Sequence, residues 1–143
     1  MNLDHMLRTL LSLPKECEWL EFKLNNDAPD EIGELVSALA NSAALHEQDA
    51  GFLVWGIHDD PRQVLGTTAQ PRLRKVGAEE LENWLAHNLS PRIDFRFHEW
   101  IHDGKAMILL RVSPAVAYPV SFKGVEWIRV GGIKKKLKDH PGK

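Results

Sequence analysis

At 143 residues the chain is long enough for one domain with a real core and short for two. Hydrophobic residues at 43% and charged residues at 27% exclude wholesale disorder, and no run approaches the roughly 20 apolar residues of a membrane-spanning helix. The net charge of −2 conceals a split: residues 1–60 hold three Lys/Arg against twelve Asp/Glu, whereas residues 123–143 hold seven against two, the signature of a two-faced surface.

In chain order, Leu3, Met6, Leu7, Leu10 and Leu11 recur at helical spacing until Pro14, which predicts an amphipathic helix over 3–12. The lone Cys17 allows no internal disulfide, no Cys/His spacing reads as a zinc site, and no leader-like segment opens the chain, so a soluble, cytoplasmic protein is expected. Leu20, Phe22 and Leu24 alternate with Trp19, Glu21 and Lys23, the pattern of a half-buried strand with Glu21 and Lys23 on one face. Asp30 is a candidate N-cap for a second helix, whose apolar stripe is Ile32, Leu35, Val36, Leu39, Ala40 and Ala43.

The continuous apolar run 52–57 predicts a central strand covered on both faces, ended by His58-Asp59-Asp60-Pro61 as a turn. A third helix is expected over 78–89, with Leu81, Trp84, Leu85 and Leu89 inward and Ser90-Pro91 as its stop. Ile93, Phe95 and Phe97 alternate with Asp94, Arg96 and His98 in a strand, and Asp103-Gly104 signals a hairpin into 106–112. Segments 120–122 and 125–130 flank Lys123-Gly124 as a second hairpin, after which Gly131-Gly132 releases the chain into a lysine run. The order α-β-α-β-α-β-β-β-β argues for an α+β fold, a single domain with a mixed or antiparallel sheet and three helices.

Five segments in register resemble the Schlafen-type AlbA-like domain. They are Glu16-x-x-x-x-Glu21-Phe22-Lys23, Val36-Ser37-Ala38-Leu39-Ala40-Asn41-Ser42, the glycine-led strand from Gly51 through Gly56-Ile57-His58-Asp59, Tyr118-Pro119-Val120, and Trp127-Ile128-Arg129-Val130-Gly131. The resemblance spans nearly the whole chain. It implies one AlbA-like nucleic-acid-binding domain over 1–143, the N-terminal part of a longer protein. One departure stands out: the family joins its helix to the glycine strand by a tight Gly-Gly turn, whereas here 43–50 lengthens the connection and only Gly51 remains.

In nuclease members of that family, three carboxylates form a metal-dependent site that cuts structured RNA. The matching positions are Glu16, Glu21 and Asp59, which would hold Mg²⁺ or Mn²⁺ if the chain is catalytic, with Lys23 countering the charge of the reacting phosphate. Other members are described as DNA-binding modules of transcriptional regulators, so a non-catalytic reading stands beside the endoribonuclease one. Spacing alone does not assemble the triad, because residues five apart on a straight strand point to opposite faces. The plain alternatives are a cross-strand ion pair at Glu21 and Lys23, an ordinary turn at Asp59-Asp60-Pro61, and a helix C-cap at Asn41.

The basic end supports nucleic acid independently of catalysis. Arg129, Lys134, Lys135, Lys136 and Lys138 follow a strand and a Gly-Gly hinge as a phosphate-tracking element, and Arg72, Arg74 and Lys75 form a second cluster. No recognition-helix pattern is present, which favours folded RNA over base-read DNA. A second copy of the chain is a further candidate partner, because Schlafen proteins proper carry two such lobes side by side. ATP binding has no phosphate loop to support it.

Overall fold

The computed structural model describes residues 2–15 and 17–140. Its helices are α1 (Leu3–Leu11), α2 (Pro29–Leu45) and α3 (Leu81–Asn88). Its strands are β1 (Leu20–Lys23), β2 (Gly51–Trp55), β3 (Ile57–Asp59), β4 (Arg62–Val64), β5 (Lys75–Val76), β6 (Glu79–Glu80), β7 (Leu89–Ser90), β8 (Phe95–His102), β9 (Lys105–Val112), β10 (Ser121–Phe122), β11 (Val125–Val130) and β12 (Ile133–Lys136). The fold is α+β. A four-stranded sheet of order β1-β2-β9-β8 forms its centre, and a second runs β12-β11-β10-β7. Among the described residues only β1 and β2 pair in parallel, and every other ladder is antiparallel.

The apolar run 52–57 explains the central position of β2. Leu53 and Trp55 face the core beneath α2, Val54 faces a second core beneath α1, and all three are fully buried. With two faces covered, the strand has no polar side to alternate with. The helix α2 departs from the single stripe expected of it. It packs on the central sheet on one side and on β10, β11 and β12 on the other, so Ser37, Asn41 and Ser42 are buried along with its apolar residues. Gly51 sets the closeness of that packing: a Cβ there would meet the Leu39 Cβ and carbonyl oxygen at 2.9 Å.

Three local expectations are corrected. The second helix begins at Pro29, whose missing N–H is no loss at the first helical position, and Asp30 lies in the first turn, 2.8 Å from Lys123 Nζ. The chain does not turn at His58. Gly56, with φ of +111°, ends β2, and the chain continues through Asp59 before reversing at Asp60-Pro61 into β4. The lysine run is no released tail either. Gly131, with φ of +61°, turns it back as β12 against β11, with Lys134 opposite Arg129 and Lys136 opposite Trp127. Among the described residues no helix is long and apolar enough to cross a membrane.

Candidate functional site

Period-2 alternation on β1 sends Leu20 and Phe22 toward α1 and leaves Glu21 and Lys23 on the α2 side. Lys23 Nζ stands 3.6 Å from Glu21 Oε2 and 3.6 Å from Glu31 Oε1. The other oxygen of Glu21 meets Arg129 Nη2 at 3.1 Å. Arg129 itself is 3% exposed; its Nη1 donates to the Leu20 carbonyl, its backbone N–H donates to Ser42 Oγ, and its Nε finds no acceptor among the described residues.

Burial raises the proton affinity of Glu21 above the usual glutamate range. The charges of Arg129 and Lys23 oppose that rise, and the charge of Asp59 adds to it. Burial likewise lowers the proton affinity of Arg129, against the pull of Glu21 first and, more weakly, of Asp59. Glu21 and Asp59, from separate strands, are thus within electrostatic reach of each other. A carboxyl carbon titration by NMR is expected to give Glu21 a midpoint above that of a free glutamate. Because the folded chain holds this proton more tightly than the unfolded one, the contribution of Glu21 to stability is fully present below its unfolded value and is lost as pH rises through its folded value.

Asp59 is exposed at the end of β3. The hairpin it belongs to is tied to the loop after α1. Arg62 donates to the carbonyls of Leu11, Leu13 and Pro14 and lies 4.9 Å from the Phe22 ring, while Lys15 Nζ bonds Asp60 Oδ1 at 3.0 Å. Glu16 lies outside the described residues. The longer connection after α2 is also drawn to the site. The helix extends through Leu45, and His46 Nε2 meets Glu18 Oε1 at 2.7 Å, while Glu18 Oε2 accepts from the Gly131 N–H at 2.7 Å.

The oxygen donors of Glu21 and Asp59 suit a hard divalent cation, but both oxygens of Glu21 already face cationic groups. Among the described residues no three His, Cys, Asp or Glu side chains stand together as a metal-holding group.

The motif residues around this site interlock. The Asn41 side chain accepts from the Val120 N–H at 2.8 Å and donates to the Val120 and Trp127 carbonyls at 3.0 and 2.8 Å. Ser37 Oγ donates to the Val120 carbonyl at 2.7 Å and accepts from the Trp127 N–H at 3.0 Å. Asn41 is therefore a mid-helix clamp and no C-cap. It fixes the segment after Tyr118-Pro119 and the strand carrying Arg129 against α2.

The basic residues divide into two groups. Arg129 is turned inward to Glu21 and is not available at the surface in this arrangement. Lys134 reaches back to Glu31 at 3.1 Å and to Glu34, over the Trp127 ring. Burial works against its charge, but its hydrogen bonds to Glu34 and Glu31 outweigh that and raise its proton affinity. Arg74 pairs with Asp27 at 2.9 Å, and Arg72 donates to the Phe97 carbonyl. Lys135, Lys136, Lys138 and Lys75 are exposed. The sequence reading missed Arg62 and the inward role of Arg129, since their partners lie far off along the chain and no local periodicity marks them.

Comparison with known proteins adds a lineage to this geometry. The model of the family described as Schlafen, AlbA_2 matches residues 16–138. No curated protein matches. Among solved structures, the DIP2311 protein from Corynebacterium diphtheriae is similar with a TM-score of 0.58 at 14% identity, over 92% of this chain and 29% of that one. The N-terminal domain of a RecG-related protein from Nitrosomonas europaea is similar with a TM-score of 0.57 at 20% identity, over 87% of this chain and 82% of that one. At these identities the likeness is one of fold, and the chain spans under a third of the first of these neighbours.

Proposed function

The chain belongs to the Schlafen AlbA_2 family, and on that premise we propose that it is a nucleic-acid-binding domain that engages the backbone of structured RNA and carries a carboxylate site for cutting it. The observation that carries this reading is Glu21, half-buried between the cations Lys23 and Arg129, with Asp59 at the exposed end of β3, the strand that packs beside β1. The strand paired with that of Arg129 presents exposed Lys135 and Lys136, and Lys138 follows, so the same sheet offers cations for a phosphate backbone. The RecG-related neighbour is named for a DNA helicase, a further pointer to nucleic acid.

Glu16, Glu21 and Asp59 are the residues that would hold Mg²⁺ or Mn²⁺, which when bound supplies a polarised phosphate and a more acidic water. Lys23, beside Glu21 on the same face of β1, is the cation that would balance charge building on the phosphate.

The test is incubation of the purified chain with transfer RNA in Mn²⁺, in Mg²⁺ and in chelator, beside a Glu21→Gln/Asp59→Asn variant. Metal-dependent cleavage that falls to background in the variant is the expected result. A second reading, a non-catalytic DNA- or RNA-binding module of a regulator, is favoured by the cations that already face both oxygens of Glu21. Intact RNA, retarded equally by both proteins and released by Lys135→Glu/Lys136→Glu, would establish that reading and remove the nuclease.

A further inference from the structure

A second cationic cluster lies far from the carboxylates. On the antiparallel pair β8–β9, Arg96 stands directly opposite Arg111. Like charges so placed destabilise a sheet on their own. His98 follows Arg96 on the same face of β8. From the turn Pro71–Leu73, Arg72 reaches the edge of β8 and donates to the Phe97 carbonyl at 2.6 Å. Burial first, and then charges that include those of Arg96, Arg72 and Arg111, hold His98 below the ordinary histidine range.

The surroundings leave this spot open. The first turn of α1 covers only the other end of the face, where Asp4 bonds Trp100 Nε1 at 3.0 Å and His102 Nδ1 at 2.8 Å. β8 ends the order of the central sheet, and among the described residues no strand pairs with its outer edge. Two open depressions meet along it and share Phe95, Arg96 and His98; Arg72 lines one and Arg111 the other. Glu80 and Glu82 stand at the rim of the first and Asp94 at the rim of the second. Yet among the described residues Arg72, Arg96 and Arg111 form no ion pair, whereas Arg74, Arg129 and Lys134 all do.

We infer that Arg96, Arg111 and Arg72 form a second phosphate-binding surface, on which the phosphodiester backbone of a nucleic acid crosses the outer edge of β8. The inference rests on the reading of this chain as a nucleic-acid binder and deepens it. Planar guanidinium groups match phosphate oxygens two at a time, and an anion between Arg96 and Arg111 turns their mutual repulsion into shared attraction. The surface is separate from the carboxylate site. Arg111 pairs with Phe52 on the α1 face of the sheet, whereas Glu21 pairs with Leu53 on the α2 face; β9 lies two strand spacings from β1, and β8, which carries Arg96, lies three, or roughly 14 Å. Because phosphate contacts position a backbone without reading sequence, RNA and DNA should both use it.

The experiment is fluorescence anisotropy of the full chain with a labelled RNA hairpin and a labelled DNA duplex of equal length, over a series of salt concentrations. Arg96→Gln/Arg111→Gln is expected to weaken binding of both probes by at least about tenfold and to make the dependence of log K on log salt shallower by about 1–2. Arg96→Lys/Arg111→Lys should keep that salt dependence, and Lys105→Gln, an exposed cation at the far end of β9, should leave binding unchanged. A melting temperature equal to or above that of the parent is expected for the glutamine pair, which excludes unfolding as the cause. Equal affinity and salt dependence in parent and glutamine pair would overturn this surface while leaving the nucleic-acid reading intact. Absence of salt-dependent binding by the parent chain would overturn both.

Discussion

Asn41→Ala is expected to lower the unfolding free energy by about 2–6 kcal/mol, because it strands two backbone groups, one buried and one partly buried, at about 1–3 kcal/mol each. The Val120 N–H loses Oδ1 and the Trp127 carbonyl loses Nδ2. The Val120 carbonyl is spared, since Ser37 Oγ still donates to it. Urea unfolding measures the effect directly. Ser37→Ala gives a graded comparison, as it strands only the Trp127 N–H and should cost about 1–3 kcal/mol. A loss below about 1 kcal/mol for Asn41→Ala would mean that water replaces the amide, and the clamp would no longer explain how α2 holds the second sheet.

The clamp also shows why some of this molecule was legible in the sequence and some was not. The central strand could be read because an unbroken apolar run needs only its own neighbours to be interpreted. The shared face of Glu21 and Lys23 followed from a period of two, and their 3.6 Å approach needs nothing beyond it. Asn41 lies near the end of an apolar stripe, where asparagine commonly caps a helix. Its partners are 79 and 86 residues away, and no local pattern announces them. Gly131-Gly132 before four lysines reads as a hinge into a solvated end. The left-handed φ at Gly131 makes it a hairpin instead, which brings Lys134 within reach of acids on α2. Glu21 and Asp59 were linked by resemblance alone, because the kink at Gly56 that redirects the chain toward Asp59 has no periodicity.

Arg129→Met is the second large effect expected, a loss of about 3 kcal/mol, at the lower end of the range for breaking a buried pair. The lower end applies because Glu21 keeps Lys23 and is 21% exposed at its side chain, so part of its charge remains compensated. The Leu20 carbonyl loses a donor in the same change. The titration of Glu21 provides a readout that mere loss of packing would not move. With its strongest opposing charge gone, its midpoint should rise further above the glutamate range, most visibly by carboxyl carbon NMR. Combining Arg129→Met with Glu21→Leu should recover most of the lost stability, since an apolar pair of similar volume can replace a buried ion pair at little cost. If the double variant is no more stable than Arg129→Met alone, the Arg129 side chain is holding β11 to the Leu20 carbonyl through its other nitrogen, while the backbone bond to Ser42 is unchanged in both variants. The strand would then depend on the arginine, and the Glu21 carboxylate would be free of it in energetic terms.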